Sequence, residues 1–95
     1  MNITFIGGGN MATALIGGLQ GKGFAAQRIS VVEINADNRA RLQQAFGVQA
    51  TAELAAGLAG SDIIVLAVKP QQLREVSTQL APLLSGQLLI SIAAG

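Results

Sequence analysis

Apolar and polar positions fall along this chain in alternating blocks. The run Ile3-Thr4-Phe5-Ile6 is short, β-branched and aromatic, as a buried parallel strand requires. Helical spacing follows over about Asn10–Gln20, with Met11, Ala14, Leu15, Gly18 and Leu19 on one face and Gly21 and Gly23 as stop signals. Ile29–Val32 is a second β run, ending in Glu33. Residues around Ala36–Phe46 predict a second helix, with Leu42, Ala45 and Phe46 inward, Asp37 near its positive end and Gly47 as its terminator. Val48 begins a short third strand. Thr51 is placed as the cap of a third helix, with Leu54 and Leu58 inward. Ile63–Val68 is apolar at every position and predicts a central strand covered on both faces. Pro70 opens a fourth helix with the stripe Leu73, Val76 and Leu80, and Pro82 ends it. Gln87–Ile92 is the fifth strand, followed by Ala93-Ala94-Gly95.

Strands alternating with helices predict an α/β fold: a doubly wound, Rossmann-like parallel sheet of five strands in order 3-2-1-4-5, with helices on both faces. Ligands of such sheets lie across the carboxyl ends of the first and fourth strands. The hexapeptide Gly7-Gly8-Gly9-Asn10-Met11-Ala12 stands at that place and matches the dinucleotide fingerprint G-x-G-x-x-G/A. Gly7 allows the tight turn after the strand, Gly9 lets the backbone approach a pyrophosphate, and Ala12 permits close helix–strand packing. The helix that follows aims free N–H groups and its positive dipole end at the phosphates.

Composition narrows the functions available. The chain has 95 residues, 51% of them hydrophobic, with a formal net charge of +1. That is one domain with a modest core. There is no basic patch, and the aromatic residues number three, so nucleic acid is not an expected partner. No apolar run reaches membrane-spanning length and no leader-like segment is read. Cysteine and histidine are both absent, which removes disulfides, thiol chemistry, a His general base and a His metal site. No residue of the chain is assigned a catalytic or metal-binding role. The expected compartment is the cytoplasm.

Glu33 stands 21 residues beyond Ala12, where an acid accepts hydrogen bonds from the adenosine ribose and favours NAD. Its plainer role is a solvated strand-end charge. Arg39, just downstream, either pairs with a 2′-phosphate of NADP or lies on the helix surface. Asn10 is the N-cap of the first helix or a polar contact to the cofactor. Met11 is either core or cleft wall. Lys69, at the end of the fourth strand, either neutralises phosphate or substrate charge or is solvated, with the backbone of Val68–Pro70 meeting the cofactor. Asp62, at the opposite edge, is structural. The Ser91 hydroxyl either faces the nicotinamide or satisfies the backbone.

Three segments together resemble one family. Phe5-Ile6-Gly7-Gly8-Gly9-Asn10-Met11-Ala12, then Ala67-Val68-Lys69-Pro70-Gln71, then Ser91-Ile92-Ala93-Ala94-Gly95 are similar, in residues and spacing, to the amino-terminal part of pyrroline-5-carboxylate reductase. The last two are the more specific, because glycine fingerprints are shared by many dehydrogenases. The resemblance implies reduction of 1-pyrroline-5-carboxylate to L-proline with NADPH or NADH, the last step of proline biosynthesis. It implies that Ile6–Ala12 holds the pyrophosphate, and that Ala67, Val68, Lys69 and Pro70 with Ala93, Ala94 and Gly95 border the ribose and nicotinamide. It further implies a helical domain beyond these residues that builds a homo-oligomer and most of the substrate site. The 95 residues alone are then expected to bind cofactor weakly without turnover, and to expose the fifth strand as an apolar edge prone to self-association. Two departures bear on NADP preference: Glu33-Ile34 replaces a polar Ser, Thr or Asn-Arg pair, and Leu54 stands where some members carry Asn. Two alternatives stay open: a related β-hydroxyacid dehydrogenase or deazaflavin-dependent NADP reductase, and a dinucleotide-sensing regulatory module without chemistry.

Overall fold

A computed structural model describes residues 1–92. Ala93, Ala94 and Gly95, expected to border the nicotinamide, lie outside the described residues. The chain forms β1 (Ile3–Ile6), α1 (Asn10–Gly21), β2 (Ile29–Val32), α2 (Ala36–Phe46), β3 (Gln49–Thr51), α3 (Leu54–Leu58), β4 (Ile63–Leu66), α4 (Pro70–Leu80) and β5 (Leu88–Ser91), with single 3₁₀ turns at Ala26–Arg28 and Ala81–Leu83. All strand pairs are parallel, in the expected order β3-β2-β1-β4-β5. Ile6 pairs with both Val32 and Leu66. Thr51 pairs with Val32 and Ser91 with Leu66. The five carboxyl ends therefore form one level rim.

The central strand divides two cores, because successive side chains point to opposite faces. Ile3 and Phe5 join Ile29, Val31 and Val65 beneath Ala12, Ile16 and Leu42 of α1 and α2. Ile6 joins Val32, Ile64 and Leu66 beneath Leu58 and Leu80 of α3 and α4. Thr4 is the buried polar exception in β1, and its hydroxyl donates to the Gly57 carbonyl at 2.9 Å. This bond ties α3 to the sheet. β5 forms the far edge, with Leu88, Leu89 and Ile90 exposed.

Two glycine stops work as their chemistry requires. Gly23 (φ +91°) closes α1: the Phe24 N–H donates to the Leu19 carbonyl and the Gly23 N–H to the Gln20 carbonyl, which is a Schellman closure. Gly47 ends α2 in the left-handed region at φ +70°.

Several expectations need correction. α1 buries Ala12 and Ile16 and half-buries Leu19, while Met11, Ala14, Leu15 and Gly18 are exposed. The helix is apolar on more than one side, so spacing alone fits two stripes; the contact of Ala12 with the sheet selects one. Ala45 of α2 is likewise exposed. Thr51 does not cap α3. It ends β3, its hydroxyl accepts from the Glu53 N–H at 3.2 Å, and Glu53 is the N-cap residue. Pro82 does not terminate α4 directly, because it sits in the 3₁₀ turn that continues it. β4 stops at Leu66, short of Val68. Its partner β1 ends at Ile6, so the ladder has no further strand to follow once the Ala67 N–H has donated to the Ile6 carbonyl at 2.8 Å.

Gly57 is the tightest packing point of α3. A Cβ there would lie 2.2 Å from Cγ2 of Val32, a buried, β-branched residue with little rotamer freedom. Overpacking costs roughly 1–3 kcal/mol and exceeds the ~1 kcal/mol that Ala gains over Gly in helix propensity. Gly57→Ala is expected to lower stability by about 1–2 kcal/mol, read as a lower urea midpoint at unchanged slope.

Candidate functional site

The level rim brings three chain reversals together: Gly7 after β1, Glu33 after β2 and Ala67 after β4. The Gly7 N–H donates to the Val32 carbonyl at 2.8 Å and the Glu33 N–H to the Thr51 carbonyl at 2.8 Å, so each reversal starts from a neighbouring strand's last ladder bond. Beyond them opens a cleft of ≈ 1110 Å³, floored by the glycine loop and walled by the turn after β2 on one side and by α4 on the other.

Each glycine of the loop has its own duty. Gly7 has φ +102°, and a Cβ on it would meet the Ala67 carbonyl oxygen at 2.5 Å. Gly8 is buried, and a Cβ there would lie 2.8 Å from Cδ1 of Leu42 and 3.1 Å from Oε1 of Glu33. Gly9 has open space on its Cβ side out to 4 Å and stands at the mouth of the cleft. Ala12, in the first turn of α1, is fully buried against the sheet. The structure thus shows a strained turn at Gly7, close packing at Gly8 and open space at Gly9.

Gly9, not Asn10, is the N-cap residue of α1. Backbone conformation decides this: Gly9 is extended at φ −81°, ψ −159°, and Asn10 is already helical. The consequence is favourable for an anion. The first amides of a helix lack intrahelical acceptors, a glycine cap has no side chain to occupy them, and the earliest internal bond of α1 runs from Thr13 N–H to the Gly9 carbonyl at 3.0 Å. Residues Ile6 to Met11 line the cleft, including Met11, which is exposed there rather than in a core.

Glu33 lines the same cleft, but its carboxylate is not a freely solvated strand-end charge. Oε1 accepts from the Gly8 N–H at 2.9 Å and from Asn38 Nδ2 at 3.4 Å, and Oε2 accepts from the Asn35 N–H at 3.1 Å. Asn35 caps α2 by accepting from the Asn38 N–H at 3.0 Å. Arg39 points elsewhere: its Nη1 donates to the carbonyls of Glu33 and Ile34 at 2.8 and 2.9 Å, and it does not line the cleft. Ala67, Val68 and Lys69 form the opposite wall. Pro70 starts α4 just behind them, and Asp62 accepts from the Asn2 N–H at the other end of the sheet. Ser91 is exposed at the rim end of β5.

Sequence reading missed several participants. Arg41 reaches from α2 to the Gly8 carbonyl at 3.0 Å and the Thr13 hydroxyl at 3.2 Å, fastening the loop from behind. No local pattern marks that role. Gln72, Glu75 and Gln79 line the cleft from α4, and their helical spacing on one polar face was a usable signal. Asn35, a capping residue type directly before a helix, was another. Among the described residues no cluster of acids can hold a metal ion, and no helix is long and apolar enough to cross a membrane.

Comparison with known proteins agrees with this geometry. The family described as NADP oxidoreductase, coenzyme F420-dependent, matches residues 2–95. Pyrroline-5-carboxylate reductase of Pseudomonas aeruginosa is 44% identical over 98% of this chain and 34% of that protein. The structure of a pyrroline-5-carboxylate reductase from Coxiella burnetii superposes with a TM-score of 0.92 at 41% identity, over 99% of this chain and 36% of that one. The Plasmodium falciparum pyrroline carboxylate reductase, solved with NADP bound, gives 0.81 at 26% identity, over 98% of this chain and 33% of that one. The chain spans about a third of the length of the curated relatives it matches. The resemblance read from the three motifs is borne out by these relatives.

The loop geometry predicts opposite outcomes at neighbouring glycines. Gly7→Ala combines a positive φ with a backbone clash and is expected to cost about 3 kcal/mol. Gly9→Ala meets no atom and loses only the preference for Gly over Ala at the N-cap, and is expected to cost less than about 1 kcal/mol. Chemical denaturation of the two variants beside the parent checks both.

Proposed function

This chain belongs to the family of NADP oxidoreductases described as coenzyme F420-dependent, and from that premise we propose that it is the dinucleotide-binding part of a pyrroline-5-carboxylate reductase. The observation that carries the reading is the cradle at Gly9: a helix N-terminus with a side-chain-free cap, open space where a Cβ would stand, and a large cleft above it. A pyrophosphate fits that arrangement, because backbone amides and the helix dipole both favour an anion there. Relatives more than 40% identical across the chain favour pyrroline-5-carboxylate as substrate.

In this reading Ile6–Ala12 hold the diphosphate and Glu33 receives the adenosine ribose. The apolar Ile34, 80% exposed on the same rim, offers a surface for the adenine. Ala67–Pro70 border the nicotinamide in this reading; Ala93, Ala94 and Gly95, which the resemblance implies for the same role, lie outside the described residues. The bound dinucleotide supplies the hydride. The chain's own contribution is positioning: the glycine loop would hold the diphosphate end of the cofactor at the rim. Lys69, a cation on that wall, complements a substrate carboxylate or a phosphate. The full enzyme is a cytoplasmic homo-oligomer whose helical domain completes the pyrroline-carboxylate site.

The family description itself favours a second reading, hydride exchange between NADP and coenzyme F420. The two separate cleanly. The protein in its full natural length is expected to oxidise NADH or NADPH when given 1-pyrroline-5-carboxylate and to leave oxidised F420 unreduced, followed by nicotinamide absorbance; the reverse pattern overturns the proposal. Gly9→Val, which fills the cradle, is expected to weaken binding of the reduced dinucleotide at least tenfold, about 1.4 kcal/mol, while the protein still melts cooperatively. Unchanged affinity in a folded Gly9→Val protein places the diphosphate elsewhere.

A further inference from the structure

We infer that Arg41, which does not line the cleft, is a positioning residue for the diphosphate: it holds the Gly8–Gly9 peptide in the orientation that presents an N–H to an anion. The inference rests on the dinucleotide reading above and concerns what keeps the glycine loop ready for that ligand.

A peptide between two glycines is the easiest in a chain to turn over. Turning it changes only ψ of the first residue and φ of the second, and glycine accepts φ of either sign. No peptide among the described residues is cis, and in a planar trans peptide the carbonyl and the N–H point in opposite directions. One orientation therefore offers the Gly9 N–H to the cleft. The other offers the Gly8 carbonyl oxygen, which repels a diphosphate. Packing does not choose between them at Gly9, whose Cβ side is open space.

Hydrogen bonding chooses. The neighbouring peptides have anchors of their own. The Gly8 N–H donates to Glu33 at 2.9 Å, and the Gly9 carbonyl accepts from the Thr13 N–H at 3.0 Å and from the Thr13 hydroxyl at 2.8 Å. Between them, the Gly8 carbonyl accepts from Arg41 Nη2 at 3.0 Å, its single partner among the described residues. Arg41 reaches this carbonyl from α2, on the side away from the cleft, so the Gly9 N–H is turned toward the cleft. A second bond locates the guanidinium itself: Nη1 donates to the Thr13 oxygen at 3.2 Å, while the proton of that hydroxyl goes to the Gly9 carbonyl. One side chain thus draws two successive carbonyls to the rear, the first directly and the second through Thr13. Arginine suits the task because its donors form a rigid planar fork, whereas a lysine ammonium is a point charge on a flexible stem.

Competitive titration of the protein in its full natural length tests this, with NADH binding followed by the emission of its reduced nicotinamide and ADP-ribose and adenosine as competitors. Arg41→Met removes every donor and keeps the stem. It is expected to weaken NADH and ADP-ribose about tenfold, the scale of one hydrogen bond to a charged group, and to leave adenosine, which carries no phosphate, unchanged. Thr13→Val is expected to weaken the same two ligands by a smaller factor and to add little in the Arg41→Met background, because both act on one assembly. Arg41→Lys is expected to recover only part of the loss, and the loss is expected to persist in about 1 M salt, where charges are screened within ~3 Å. A charge acting at a distance would be fully replaced by Lys and its effect erased by salt; that pattern overturns the inference. A merely structural role would weaken adenosine in parallel with NADH. Melting curves verify folding; Arg41 is exposed, and should Arg41→Met not fold, Thr13→Val and Arg41→Lys still decide. Unchanged NADH affinity in folded Arg41→Met, or an equal loss for adenosine, overturns the inference and leaves the dinucleotide reading standing. Failure of the parent to bind NADH or ADP-ribose overturns that reading itself.

Discussion

The parallel pairing of β1 with β2 and β4 is the constraint on which the remaining structure depends. Each pair runs in unbroken register, and all three strands end together at Ile6, Val32 and Leu66. Because they stop at one level, the chain reverses three times in one place. The last ladder bonds pass directly into the loops: Gly7 donates to β2, and Ala67 donates to β1. A one-residue slip of β1 would exchange the contents of its two cores and move the glycine turn off the rim. Such a slip is opposed on both faces, by Phe5 on one and by Ile6 with the Thr4–Gly57 bond on the other.

The rim is held firmly at the glycine loop. Gly8 is held through its N–H by Glu33 and through its carbonyl by Arg41, while Leu42 closes over its Cα. All three partners come from the β2–α2 segment. That segment therefore does more than supply one side of the cleft; it sets the loop in place. Gly9, the next residue, is left free of packing, so the backbone is rigid up to the point where a diphosphate would rest and open there. Preorganisation of this kind lowers the ordering cost of binding.

Part of the site was visible in residue types. Gly7 and Ala12 each carry a steric requirement that few other residues meet, Gly7 a positive φ against a backbone oxygen and Ala12 full burial, so their spacing sufficed. Glu33 was visible as an acid at a strand end. Its bonding was not, because the Gly8 amide that holds it lies 25 residues away in sequence. Arg39 illustrates the same limit from the other side: spacing made it a candidate for a phosphate, and the fold spent it on two carbonyls. The buried stripe of α1 was ambiguous because the helix is apolar on more than one side, and only docking onto the sheet distinguishes Ala12 and Ile16 from Met11 and Leu15.

The amino-acid sequence by itself determined the order of elements, the two-sided burial of β1 and β4, the glycine turn and the parallel topology. These follow from local periodicity and from steric rules that act within a few residues. Tertiary structure alone decided which face of α1 is buried, where β4 ends, that Gly9 and not Asn10 caps α1, and which donors at the β2 turn remain free. Those outcomes depend on groups far apart in sequence competing for the same hydrogen bonds and the same space, and that competition is resolved only when the strands are side by side.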